Sequence, residues 1–142
     1  MSLRDHQAGH RSLPHTADAQ VEAWAATREG CIAEAVRGSV ALFLDVRDAV
    51  PHGRHAFHVE ADQDEDLLVA VLDEVVYLLD TTGEVPLRAT ADPRDRGLDV
   101  VFQTADARAL PRIGAVPKAV SLHELRFGHT ETGWSCRVTW DV

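Results

Sequence analysis

Long apolar runs are missing from this sequence, and none approaches the roughly 20 residues that span a bilayer. The opening stretch, MSLRDHQAGHRS, is polar and lacks the apolar core of a signal peptide, so a cytoplasmic protein is expected. Cysteine is scarce: Cys31 and Cys136 are the only two. No CxxC pair occurs, which excludes a structural zinc site built on thiolates. Nor do the two cysteines show the spacing of a disulfide framework, and free thiols in a reducing compartment are expected. Basic charge is short as well, with 14 Lys and Arg against 23 Asp and Glu, a net charge of −9. The arginines, among them Arg37, Arg47, Arg54, Arg88, Arg94, Arg96, Arg108, Arg112 and Arg126, are scattered along the chain. A protein that grips nucleic acid unaided concentrates cations to displace the counterions of phosphates. Strong autonomous RNA or DNA binding is therefore disfavoured, and a metal ion or a basic protein partner suits the charge better. Three catalytic signatures are also absent: GxSxG, a Walker-type glycine loop and HExxH. Neither cysteine sits in a nucleophile motif. Nothing marks a self-sufficient enzyme.

What is present is the composition of one globular domain: 142 residues, 45% hydrophobic and 26% charged. Residues 1–12 read as a flexible lead-in and 13–142 as the domain. Ala19 to Trp24 alternates apolar and polar residues, the period of a half-buried strand. Thr27 is placed to cap a helix carrying Ile32, Ala35, Val36, Val40, Phe43 and Leu44 at three- and four-residue spacing. A second strand is expected over Arg54–Ala61. Asp64 is then expected to cap a second helix, with Glu65 and Asp66 in its first turn and an unusually wide apolar face through Leu79. Gly83 suits the left-handed residue that ends it. The rest reads as strands at Val85–Ala91, Leu98–Thr104, Ala119–Phe127 and Trp134–Trp140, with turns at Asp92-Pro93, at Pro111–Gly114 and at Thr130–Gly133. Short links imply antiparallel pairing. The fold class is α+β, a single domain with a mostly antiparallel sheet and two amphipathic helices.

Three groups of residues invite a chemical reading. His52, His55 and His58 are spaced by three, but on a strand such residues alternate faces, so His55 and His58 cannot share one ion without a bulge. Solvated loop histidines are expected there. Asp62, Asp64, Glu65 and Asp66 lack the spacing and central glycine of a calcium loop, and helix capping accounts for most of them. The third group is the pair of chain regions around Asp18 and Asp141. Asp18 precedes the first strand, Asp141 follows the last, and Val142 carries a terminal carboxylate. Terminal strands of small α+β sheets often lie side by side. That would gather three carboxylates whose mutual repulsion a hard cation relieves. The alternative is that Asp18 caps a turn and Asp141 hangs in solvent.

Four pieces in order resemble the archease family: His15-Thr16-Ala17-Asp18; the helix segments Asp66-Leu67-Leu68, Leu72-Asp73-Glu74 and Tyr77-Leu78-Leu79-Asp80; Lys118-Ala119-Val120-Ser121-Leu122-His123; and the closing Asp141-Val142. The resemblance runs from about residue 13 to residue 142. It implies an activator of the GTP-dependent RNA ligase that joins 3′-phosphate or cyclic-phosphate ends to 5′-hydroxyl ends in tRNA splicing and RNA repair. Such a helper promotes guanylylation of the ligase and multiple turnover, and is chaperone-like rather than catalytic. The resemblance also implies one divalent cation, calcium or, in function, manganese or magnesium, held by Asp18, Asp141 and Val142. His15 is then expected to orient the Asp18 loop, and Lys118 to offset carboxylate charge or meet the ligase nucleotide. Gln20, Pro117 and Leu122 depart from the family pattern, which has a glycine, a β-branched residue and an aromatic there. Two other readings compete: a stand-alone metal-dependent phosphoesterase, and a plain protein-binding module stabilised by its cation.

Overall fold

Alternation dictates the first buried strand. In Ala19–Ala25 (β2) the side chains of Val21, Ala23 and Ala25 turn into the core, while Glu22 on the other face lies between Arg11 and Arg137 of the flanking strands. The structure, a computed structural model, describes residues 8–13 and 19–142. His15 and Asp18 lie outside the described residues. Part of the expected lead-in is ordered into the sheet: Gly9–Leu13 (β1) pairs antiparallel with β2 along its whole length.

Arg28–Ala41 (α1) follows β2, and its start is capped as its sequence predicts, with the Gly30 amide donating to Thr27 Oγ1 at 3.0 Å. Beyond Ala41 the helix gives way because Phe43 and Asp45 exchange backbone hydrogen bonds with Ile113 and Pro111. Gly53–Glu60 (β3) leads into Asp64–Thr82 (α2). Here the expected cap is corrected. The N-cap residue is Gln63, and Asp64 is the first helical residue. Its carboxylate turns to Arg28 Nη1 at 2.8 Å, so an ion pair between the two helices replaces a cap, and the first-turn acid still meets the helix dipole favourably. Gly83, at φ 76°, closes α2 in the left-handed conformation that its lack of a Cβ permits.

Glu84–Arg94 (β4) and Gly97–Asp106 (β5) form a hairpin that is longer than its sequence predicts. The turn is not at Asp92-Pro93: the strand continues through Pro93, which pairs with Leu98, and the chain reverses at Asp95-Arg96. Proline is tolerated because β4 is an edge strand, and Asp95 supplies the positive φ of 55° that the tight turn needs. Gly97 admits a close approach, since a Cβ there would meet the Val59 carbonyl oxygen at 1.7 Å. Gly97→Ala is expected to cost about 1–3 kcal/mol, as overpacking does, and to raise the urea sensitivity of the whole domain. An unchanged urea midpoint would show that β3 yields freely.

The strand expected over Ala119–Phe127 is broken in two, Ala119–Val120 (β6) and Arg126–His129 (β7), both paired with Trp134–Asp141 (β8). Seven steps from Ala119 to Arg126 run beside four steps from Asp141 to Arg137, so three extra residues loop out between β6 and β7. Leu122 is exposed in that loop. Among the described residues the result is two antiparallel sheets, one ordered β1-β2-β8-β6 with β7 also on β8, the other β3-β5-β4. Both helices touch strands of both sheets, and one hydrophobic cluster joins all of them. No helix among the described residues is long and apolar enough to cross a membrane.

Candidate functional site

The last strand is held from three sides near its end. Trp140 is fully buried and donates its indole N–H to Ser39 Oγ at 2.9 Å, and Ser39 in turn donates to the Ala35 carbonyl at 2.7 Å. On one side Trp140 pairs with Ala19, the first residue of β2. On the other, Val120 pairs with Trp140 and Ala119 with Asp141, and the Lys118 amide donates to the Asp141 carbonyl at 2.8 Å. The main chain of Asp141 is therefore fixed while its side chain is exposed. The Asp141 carboxylate and the Lys118 ammonium have no hydrogen bond or ion pair among the described residues.

The expectation that the first long strand and the last lie side by side is met: β2 and β8 pair over Ala19–Ala25 and Trp134–Trp140. Asp141, Val142 and Lys118 come together at that end of the sheet. The remaining two, His15 and Asp18, fall outside the described residues. Gln20 stands in regular strand, paired with both Leu13 and Thr139, and its side-chain amide donates to Thr139 Oγ1 at 2.9 Å. A glycine has no conformational task at that position. Pro117 is buried beside Trp140.

The histidines divide as strand geometry requires. His55 faces inward and bonds Glu74 at 2.6 Å, whereas His58 faces outward and bonds Asp99 at 2.7 Å and Glu60 at 2.9 Å. Neither is a free loop histidine, because each lies on β3 with a carboxylate partner. His52 accepts the Asp106 amide. His58, Glu60 and Asp95 bring one ligand atom each within 4.8 Å of one another. The Asp99 and Glu60 carboxylates raise the His58 pKa, and both ring nitrogens are already engaged, Nδ1 with Asp99 and Nε2 with Glu60. The cluster is an exposed ion-pair network.

One pairing was invisible in the sequence. Cys31 and Cys136, 105 residues apart, are neighbouring free thiols in the core. The neighbouring Cys136 thiol and burial both push the Cys31 thiol upward, away from thiolate, and its Sγ donates to the Ala23 carbonyl at 3.6 Å. Neither is a nucleophile in waiting.

A sequence model of the Archease protein family (MTH1598/TM1083) matches residues 10–142. The chain belongs to the archease family. Proteins from two strains of Mycobacterium tuberculosis, each named "Probable protein archease", are 56% identical over 140 residues, covering 95% of this chain and 75% of theirs. Among solved structures, the solution structure of protein 1598 from Methanobacterium thermoautotrophicum is similar with a TM-score of 0.75 at 21% identity, over 94% of this chain and 99% of that one. The crystal structure of a Thermotoga maritima archease, described as a possible chaperone, is similar at TM-score 0.61 and 19% identity, over 93% of this chain and 96% of that one. These two likenesses establish the archease fold.

Proposed function

We propose that this archease is a metal-carrying accessory protein of the cytoplasm that activates a GTP-dependent RNA ligase in tRNA splicing and RNA repair. The observation that carries the reading is the end of β8. Asp141 is fixed through its main chain, its carboxylate is exposed and unpaired among the described residues, and Lys118 adjoins it. The donor chemistry fits a hard divalent cation, which prefers several oxygen ligands. Asp141, Val142 and Asp18 would hold it. Asp18 is the covalent neighbour of Ala19, which pairs with Trp140, the covalent neighbour of Asp141. When bound, the ion supplies a hard positive centre that phosphate oxygens can share. Lys118, on the same end of the sheet, keeps its ammonium available to a partner's nucleotide or to surplus carboxylate charge. A net charge of −9 suits docking on a basic RNA-binding enzyme. The Thermotoga maritima relative's description as a possible chaperone points the same way.

The test is multiple-turnover ligation of an RNA with 3′-phosphate and 5′-hydroxyl ends by the ligase from the same source, with GTP and manganese, with and without this protein. Stimulation is the expected result. A ligase that completes one turnover yet gains nothing from the added protein would overturn the reading.

A further inference from the structure

The outer face of the β3-β5-β4 sheet carries a feature unrelated to the Asp141 end. Its inner face is apolar, with Phe57, Val59, Leu98, Val100 and Phe102 turned into the core. By alternation, Arg54 on β3, Gln103 on β5 and Arg88 on β4 point the other way. The register puts them in one row, because Arg54 and Arg88 both pair with Gln103. Two interstrand spacings set the Arg54 and Arg88 Cα atoms roughly 10 Å apart. Two arginines 34 positions apart in the sequence thus flank the neutral Gln103 in one row across three strands.

Helix α1 closes one side of this row. Arg37 and Glu34 stand over β4, leaving a concavity of about 540 Å³ lined also by Arg88, Thr90, Val101 and Gln103. An adjoining hollow of about 370 Å³ shares Arg37 and Arg88 and adds His10 and Arg47. The charges are unevenly satisfied. Glu34 has both oxygens engaged, one by Arg37 Nη1 and one by His10 Nδ1, each at 2.8 Å. Arg47 is tied to Asp45. The Arg54 and Arg88 guanidinium groups have no hydrogen bond or ion pair among the described residues, in a chain whose acids outnumber its Lys and Arg by nine. The acids at the far end of this face are Asp92, which pairs with Asp99, and the three gathered around His58, namely Glu60, Asp95 and Asp99. An anion is thereby repelled from one end and drawn to the other.

We infer that this concavity binds a phosphate-bearing ligand. Arg88 lines it with an uncommitted guanidinium fork, and Arg54, outside the lining but paired with the lining residue Gln103, stands beside it with a second; the planar donors of such forks match phosphate oxygens in pairs. Arg37 retains donors beyond the one spent on Glu34, and the Gln103 amide and Thr90 hydroxyl add neutral ones. The volume falls in the range of small-molecule sites, enough for a mononucleotide or for the phosphates of a strand passing through. This inference stands whether or not the ligase reading holds.

The experiment uses the full chain with two probes, GTP by calorimetry and a fluorescein-labelled single-stranded RNA of about 12 nucleotides by anisotropy, at low salt where phosphate binding is strongest. Saturable binding is expected for at least one probe. Arg88→Ala should weaken it about tenfold, and Arg54→Ala/Arg88→Ala should remove it, with Arg88→Lys recovering part. For RNA, the slope of log affinity against log salt should fall by roughly 0.7 for each arginine–phosphate pair removed. Arg94→Ala makes the same charge change at the acidic end of the same face and should alter affinity less than twofold. RNA binding that GTP does not displace identifies strand phosphates as the source; displacement by GTP identifies a nucleotide. Absence of binding by both probes overturns the inference, as does an Arg94→Ala effect equal to that of Arg88→Ala. Both arginines are exposed, so circular dichroism should show the variants folded like the wild type.

Discussion

Asp141→Asn is expected to abolish stimulation of the RNA ligase while leaving the fold unchanged. The substitution keeps the shape of the side chain and removes one negative charge. Because the carboxylate is exposed and unpaired among the described residues, stability should move by no more than about 0.5 kcal/mol. The main chain at this position is held by Ala119 and by the Lys118 amide, an arrangement that asparagine leaves intact. Loss of an ion-binding carboxylate should weaken calcium or manganese binding by at least the roughly 10–100-fold that mutation of outer-shell partners costs. Asp18→Ala should behave alike. Three measurements check the set: multiple-turnover ligation, metal titration of the purified protein, and a thermal melt by circular dichroism. An Asp141→Asn protein that melts early would make the residue structural. One that folds, loses the ion and still stimulates the ligase would separate the metal from the activity.

Trp140→Ala should have the opposite signature, a large loss of stability. Trp140 is fully buried, and truncating such a side chain typically costs about 3–5 kcal/mol. That is a large part of the roughly 5–15 kcal/mol that holds an ordinary domain together. The variant also leaves Ser39 without its indole donor at a site 1% exposed, though the serine keeps its own bond to Ala35. Trp140→Phe retains most of the apolar volume and isolates the hydrogen bond, for which about 1 kcal/mol is expected. Urea unfolding followed by tryptophan-independent circular dichroism measures both. Because Trp140 pairs with Ala19 and adjoins Asp141, its truncation should loosen the candidate metal end as well. Ligase stimulation should then fall in step with the folded fraction, and calcium should restore part of each. A Trp140→Ala protein as stable as the wild type would show that β8 is anchored elsewhere.

Local chemistry made much of this legible from the chain. The cap at Thr27, the left-handed Gly83, the wide apolar face of α2 and the alternation of β2 and β8 each depend on neighbours a few residues away. The misread boundaries share one cause, a distant partner. Asp64 forgoes capping because Arg28 on the other helix takes its carboxylate. Pro93 stays in strand because β4 lies at an edge. Residues 119–127 split because β8 accepts two short strands in different registers.

By itself the sequence determined the α+β class, both helices, the antiparallel sense of the strands and the family, through motifs spread from His15 to Val142. These follow from periodicity, capping and turn chemistry, which act within a few residues, and from residues quoted in order. The tertiary structure alone decided what stands beside what. It set Lys118 against Asp141, made neighbours of Cys31 and Cys136, and drew Arg54, Gln103 and Arg88 into one row. Strand register does this, because pairing two strands joins every residue to a partner that no local pattern names, and a shift of one residue would turn each side chain to the other face.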